Sequence, residues 1–380
     1  MDGAIIGAGI GGLSTAIAMR KRDIRVRVFE AAHRLCPVGA GILVPPNAMA
    51  VLERYGLAEA VMSAGTCIES LAVFDSRENT ISETPGYFSK NGAEHPTVAI
   101  HRGSLQEVLL SALPSDDVLT GKRCFKVEAR RERSEAFFDD GTSVTGTFLV
   151  GADGLHSQVR RSIFPQGRLR YSGQACRRGV SKIVLPPAYR TRLSELWGAG
   201  LRFGFVPVSD SQVYWYATSV SEAGEVDRRP TAKEELLTAY ADFSGPVSDI
   251  IAQTKSTEII RDDIHDLFPM NSWFSESTVL IGDAAHASTP NLGQGGAQAI
   301  EDSWVLAGKL ASGNSARDAF ARFQAVRFPR VERIVKASWR VGQVTNLTNK
   351  AVCRLRDITF RCLPSFMARR HSRWLYDVPL

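Results

Sequence analysis

Cysteine is scarce in this sequence, and its six copies (Cys36, Cys67, Cys124, Cys176, Cys353, Cys362) form no C-x-x-C pair. That spacing argues against a disulfide frame or a thiolate zinc site and fits reduced structural thiols. The seven histidines show no H-x-x-x-H spacing, so no metal is expected. No apolar run approaches the ~18 residues of a membrane-spanning helix. Internal repeats and low-complexity linkers are also missing. Strand-like Ala4-Ile5-Ile6 comes too early to leave room for a signal peptide, and a cytoplasmic protein with no nucleic-acid partner is expected. No Ser-His-Asp or paired-carboxylate constellation is apparent either.

What is present is an ordinary globular composition, 44% hydrophobic and 23% charged, over 380 residues. That length suits about two domains and an appendage. The net charge of +6 is uneven: Arg317 to Arg373 holds 14 Lys/Arg against 3 Asp/Glu, so the remainder is net acidic. A basic tail of this kind suits weak contact with an anionic membrane surface or a phosphate-bearing cosubstrate. Solvated faces of C-terminal helices explain the same count.

Residues 3 to 30 read as strand, glycine turn, helix (Leu13–Arg22) and strand. One helix is expected from about Asn47 to Ala64 and a short amphipathic one from Ser104 to Leu113. Ser134 to Val150 reads as a hairpin and strand turning at Asp140-Gly141. From Tyr171 to Asp266 the pattern alternates, as in Arg202-Phe203-Gly204-Phe205-Val206, and predicts an antiparallel sheet. Helical signals return at Lys233–Phe243 and dominate after Gly295.

Gly7-Ala8-Gly9-Ile10-Gly11-Gly12 is a G-x-G-x-x-G turn between a strand and a helix. Its glycines allow a tight turn, backbone approach to a pyrophosphate and close packing, and the helix start offers free N–H groups to phosphates. Glu30 follows 18 residues after Gly12, at the end of the next strand, placed to accept from a ribose hydroxyl. This unit alone does not separate FAD from NAD. Val279-Leu280-Ile281-Gly282-Asp283-Ala284-Ala285-His286 does: a buried strand delivers Asp283 where such sheets bind ligands, and a carboxylate there can bond the ribityl chain that only FAD has. Pro290-Asn291-Leu292-Gly293-Gln294-Gly295-Gly296 then runs into a helix (Ala297–Leu310), giving donors and a positive potential for an anionic flavin edge. A third strand, Phe148-Leu149-Val150, ends in Gly151-Ala152-Asp153-Gly154.

These three motifs, in this order and across nearly the whole chain, resemble the group A FAD-dependent aromatic monooxygenases, nearest to the alkylquinolone, urate and salicylate hydroxylase-like branch. The resemblance implies an α/β plus β fold: a Rossmann-type FAD-binding domain (1–70, 97–170 and 268–340) interrupted by a mixed or antiparallel β-sheet substrate domain (71–96 and 171–267), then a C-terminal helical segment (341–380). It implies that Gly9, Gly12, Glu30 and Ala31 hold the adenosine diphosphate, that Arg102 reaches the pyrophosphate, and that Cys124 meets adenine through its backbone. Asp153 would support both flavin and transient cosubstrate binding, Asp283 would hold the ribityl chain, Gly293, Gly295, Gly296 and Ala297 would line the flavin ring, and Leu43 is a further cofactor-binding candidate. NADPH or NADH would reduce the FAD, and O2 would supply the oxygen placed on an aromatic or heteroaromatic, quinolone-like small molecule. A second nicotinamide fingerprint is absent, as the family leads one to expect.

The aromatic-rich insert is expected to form the substrate lid. Arg202 and Tyr214 match substrate-contacting positions of the urate branch, and they are the catalytic candidates, with Tyr214 as base or hydrogen-bond partner. Asn291 stands where that branch carries an aspartate, and Arg177 departs from its usual Trp. A structural salt bridge explains Arg202 equally well. Epoxidation or reduction of an isoprenoid on the same fold is the alternative reaction.

Overall fold

The computed structural model of the chain describes residues 2–35, 40–85, 95–227, 231–313, 315–362 and 374–376. Cys36, residues 86–94 of the expected insert and the basic Arg369, Arg370 and Arg373 lie outside the described residues. Among the described residues no helix is long and apolar enough to cross a membrane, and no cluster of His, Cys, Asp and Glu could hold a metal ion.

A six-stranded sheet has Asp2–Ile6 at its centre, with Phe148–Gly151 parallel on one side and Arg25–Phe29 parallel on the other. Thr278–Leu280 extends it in parallel, and Phe274–Ser275 and Val118–Leu119 are its edges. Strands covered on both faces need continuous apolar runs, which Phe148-Leu149-Val150 and Thr278-Val279-Leu280 provide, all buried. Parallel pairing aligns the carboxyl ends of four neighbouring strands. The Gly7 turn, Glu30, the Asp153 loop and the Asp283 loop therefore leave the sheet side by side.

The second sheet has seven strands, in the order Ile260–Leu267, Leu169–Ser181, Gln212–Val220, Leu201–Ser209, Arg192–Trp197, Ser70–Asp75, Thr80–Pro85. Its pairs are antiparallel except Arg192–Trp197 with Ser70–Asp75. Period-two alternation sorts its residues: Leu196, Phe203, Phe205, Trp215 and Ala217 form a core under helices Ala232–Ala239 and Val247–Gln253, with Phe203 stacked on Trp215 at 5.6 Å. Glu195, Arg202, Gly204, Val206, Tyr214 and Tyr216 occupy the other face. That face meets a three-stranded sheet (Gly41–Val44, Thr97–His101, Gly65–Ile68) through Val206, Val208 and Tyr214 against Ile68, Ala99 and Leu43.

Several expectations shift. The helix expected over 47–64 is two, Pro46–Tyr55 and Ala58–Ser63, because Gly56 takes a left-handed conformation (φ 78°) between them. The first helix starts at Ile10, three residues early, with Gly9 as its cap. The boundary expected at 341 falls inside one 30-residue helix, Ala316–Thr345, which carries Pro329; a separate helix, Lys350–Arg361, follows. Much of the basic stretch is committed inside the molecule. Arg317 pairs with Glu276, Arg322 with Asp318, Arg327 and Arg330 with Glu301, Arg356 with Asp357 and Arg361 with Asp75.

Candidate active site

The glycine turn is shaped from within. A Cβ on Gly12 would lie 1.9 Å from the Gly7 carbonyl oxygen, and Gly7 itself sits at φ 103°, so neither position accepts a side chain without moving backbone. At Gly9 a Cβ would meet nothing within 4 Å: the turn is open there, at the start of an 11-residue helix whose first N–H groups face outward. Glu30 accepts from the Ala8 N–H (2.8 Å) and the Ala32 N–H (2.9 Å), one on each oxygen. Its carboxylate is thereby fixed at the turn with lone pairs left over for a hydroxyl. Ala31 follows directly. The Glu30 backbone bonds Leu119 and Lys122, which brings the Cys124 strand beside this end. Burial pushes the Cys124 thiol up to about 12, so its side chain is neutral.

The other end is built by two loops in contact. Asp283 lies in a cleft, open to solvent yet ringed by protein, and its carboxylate makes no hydrogen bond among the described residues. Burial raises its pKa, and His286, Arg102 and Arg160 work in the opposite direction. A Cβ on Gly295 would lie 3.8 Å from the Asp283 carboxylate, one on Gly293 3.6 Å from Leu43, and one on Gly296 2.8 Å from Ile42. Asp283, Leu43, Gly293, Gly295 and Gly296 thus share one wall, with Ala297 in the first turn of the 17-residue helix Gly295–Ala311. Arg102 opens the helix Arg102–Ser111 with an exposed side chain that makes no hydrogen bond or ion pair among the described residues. An open glycine turn and an unbonded carboxylate at one edge of the parallel sheet, with the Arg102 guanidinium brought toward Asp283 from the three-stranded sheet, fit a dinucleotide with a polyhydroxyl chain.

Asp153 is engaged within its own segment. Its carboxylate accepts from Ser157 Oγ (2.5 Å), Gln158 N–H (2.6 Å) and Val159 N–H (3.0 Å), and so caps the helix Gln158–Ile163 within its own segment. Buried Arg160 of that helix donates to the Ala284 and Leu155 carbonyls and ties the Asp153 loop to the Asp283 loop. A layer that the motifs do not announce lies beneath. Asp302 accepts from the Gly282 N–H (2.9 Å) and His286 Nε2 (2.6 Å). Glu301 accepts from Asn47 Nδ2 (2.6 Å) and Arg330, and Arg327 donates to both acids. The signal available in the sequence was two adjacent acids on the core face of an apolar helix.

On the substrate-sheet face, Gly204 leaves no room beside Arg202: the Tyr216 ring fills that space, 2.1 Å from where a Cβ would stand. Arg202 is 3% exposed and its guanidinium is committed: Nη2 donates to Asn291 Oδ1 (2.7 Å), Nη1 lies 3.7 Å from Glu195, and Glu195 also binds Tyr216 and Trp197. It joins the substrate sheet to the 290–296 loop. Arg202→Met is accordingly expected to cost about 1.5–3 kcal/mol of stability, the contribution of a charged hydrogen bond, read by denaturant unfolding. An unchanged midpoint would return Arg202 to the role of a substrate contact. Tyr214 lies with its ring against the Gly41 backbone, and its hydroxyl makes no hydrogen bond among the described residues. Burial pushes its phenol well above the ordinary value, so Tyr214 keeps its proton at neutral pH. In that state it can donate a hydrogen bond.

A family model described as FAD binding domain matches residues 1–338. Aurachin C monooxygenase/isomerase of Stigmatella aurantiaca is 41% identical over 366 residues, covering 95% of this chain and 94% of that protein. The 2-heptyl-3-hydroxy-4(1H)-quinolone synthase of Pseudomonas aeruginosa is 33% identical, with 97% and 96% covered. Among solved structures, Klebsiella pneumoniae HpxO complexed with FAD and uric acid superposes with a TM-score of 0.91 at 26% identity, covering 99% of this chain and 97% of that one.

Proposed function

Because the chain belongs to the FAD-dependent aromatic monooxygenases, we propose that it hydroxylates a bicyclic, quinolone-like heteroaromatic with NADPH or NADH and O2. The reading rests on one observation above the others: an aromatic and aliphatic sheet face (Val206, Tyr214, Tyr216) stands opposite the loop that carries Gly293 to Ala297, and Arg202–Asn291 bridges the two. Two of the similar proteins bear names that describe quinolone-type chemistry or a monooxygenase. A cytoplasmic location, where reduced nicotinamide is supplied, suits this reading.

FAD, when bound, accepts electrons from NAD(P)H and activates O2 for transfer to the ring. The chain's own task is placement. In our assignment Gly9, Gly12, Glu30, Ala31, Arg102 and the Cys124 backbone hold the adenosine diphosphate. Asp283 receives the ribityl hydroxyls, and Leu43 with Gly293, Gly295, Gly296 and Ala297 flanks the ring. Tyr214 donates to a substrate oxygen and fixes the orientation of the ring under attack, while the apolar neighbours Val206 and Leu43 exclude water. In this reading the seven-stranded sheet positions substrate and the parallel sheet positions cofactor.

The test is NAD(P)H oxidation stimulated by alkylquinolones, with mass spectrometry of the product. A product one oxygen atom heavier, formed in proportion to NAD(P)H consumed, supports the reading; an isoprenoid epoxide or a reduced product with quinolones inert would sink it. Tyr214→Phe should lower kcat/KM about tenfold, the value of one hydrogen bond of about 1.4 kcal/mol, with FAD content unchanged. Since Tyr214 stays protonated, the shape of the pH profile below about pH 10, the ordinary tyrosine value, should not change. Loss of a limb of that profile in the variant would make Tyr214 a titrating base.

A further inference from the structure

The helix Lys350–Arg361 is two-sided in an unusual way. One side is seated: Cys353 and Arg356 are buried, Phe360 meets Trp197 edge-on at 5.5 Å, and Arg356 lies over the Trp197 ring at 4.9 Å. The helix packs on Thr80–Pro85, the edge strand of the substrate sheet, where Arg361 also binds the Thr80 carbonyl. The opposite side is apolar and in solvent: Val352 (43% exposed), Leu355 (64%) and Ile358 (53%) recur every three residues and form one ridge.

Charge decides what that ridge fits. Two acids beside it are paired, Asp357 with Arg356 and Asp75 with Arg361. Lys350 and Arg354 are exposed and make no ion pair or hydrogen bond among the described residues. A helix that shows aliphatic side chains to solvent, flanked by uncommitted cations and with its own acid, Asp357, paired, has the make-up of a segment lying in the interface of an anionic bilayer. A second protein copy would match the ridge but would bring the same cations against each other.

We propose that this face docks reversibly on anionic phospholipid membranes, with Val352, Leu355 and Ile358 entering the headgroup–acyl boundary and Lys350 and Arg354 on lipid phosphates. The contact sets the substrate sheet, through Trp197 and Thr80–Pro85, against the phase in which a lipophilic quinolone would concentrate. That benefit rests on the substrate reading above; the docking itself rests on the helix alone.

The experiment is flotation of the full-length, FAD-loaded protein with phosphatidylcholine vesicles, with and without phosphatidylglycerol. Melting temperature and FAD content are taken on each sample. The protein is expected to float with anionic vesicles and not with neutral ones, and to be released at about 1 M salt, where screening reaches ~3 Å. Leu355→Ser with Ile358→Ser should lower the partition at least roughly tenfold, and so should Lys350→Glu with Arg354→Glu. FAD content and melting should hold in both, since the four side chains are exposed. No flotation, or flotation that either double variant leaves intact, overturns the proposal. So does a lipid-free dimer in sedimentation equilibrium that Leu355→Ser with Ile358→Ser dissolves, which would give the ridge to a second copy. These readouts need no turnover, so failure of the substrate reading leaves them standing, and their failure leaves that reading untouched.

Discussion

Arg327→Met is expected to destabilise the protein by about 3–5 kcal/mol, the cost of stripping a buried ion pair of one partner. Arg327 is almost wholly buried in the long helix Ala316–Thr345. Its Nε donates to Asp302 (2.8 Å), Nη1 to Glu301 and Nη2 to the Gln298 amide oxygen (2.7 Å). Burial alone would raise the pKa of Glu301; Arg327 first, then Arg330 and Asn47, bring it below the ordinary value. Asp302, held down by His286 and Arg327 against burial, is at about 2. Methionine fills a similar volume, so the loss would be electrostatic and would leave no large cavity. Lysine should rescue only in part, because one ammonium cannot match two carboxylates and an amide as a planar guanidinium does. The pH dependence follows from sign. A carboxylate with a depressed native pKa adds stability above its unfolded value near 4, and that stability is lost as pH falls through the native value. In Arg327→Met both acids titrate higher, so acid unfolding should start at a higher pH. Denaturant melts across pH, with and without FAD, read this directly. Equal stability of variant and parent at neutral pH would show that the cluster contributes nothing net.

The parallel sheet and its ligand edge were legible because they depend on local features. Glycines at fixed offsets, an apolar strand before each motif and an acid at each strand end are all written within a few residues. Parallel pairing then brings Gly9, Glu30 and Asp283 to one edge with no further information. What the sequence concealed is relational. Gly204 reads as space only while the neighbouring strand's register is unknown; pairing Gly204 with Tyr216 fills that space with a ring. Asp153 looks like a ligand residue until two backbone N–H groups and the Ser157 hydroxyl return donors to it within six residues. Arg202 joins Asn291, 89 positions away, and Arg327 joins Glu301 and Asp302 across a helix pair. No periodicity encodes such contacts, because charge partners far apart in sequence are chosen by packing.

Asp283→Ala should weaken FAD binding by about 1.5–3 kcal/mol, roughly 10- to 150-fold in Kd, and leave the FAD-free protein no less stable. The two halves have one cause. Without ligand, the Asp283 side chain is exposed and its carboxylate makes no hydrogen bond to the described residues, while the protein around it raises its pKa. A solvent-exposed group without a protein partner contributes little to the free protein, so its removal should cost nothing there. With FAD present, ribityl hydroxyls would supply the missing donors, so the alanine variant loses only there. Asp283 also begins the four-residue helix Asp283–His286, and a purely structural role would reverse the pattern: the free protein would melt lower and affinity would barely change. Asparagine keeps an acceptor without the charge and should fall between the two. The sign of the pH effect is fixed as well. Affinity should decline as pH falls toward the raised pKa of Asp283 in the parent, and this decline should be absent in the alanine variant. FAD titration followed by flavin fluorescence, together with melting curves of free and loaded protein, separates the cases. An unchanged Kd, or a free protein destabilised as much as the loaded one, would remove Asp283 from the flavin site.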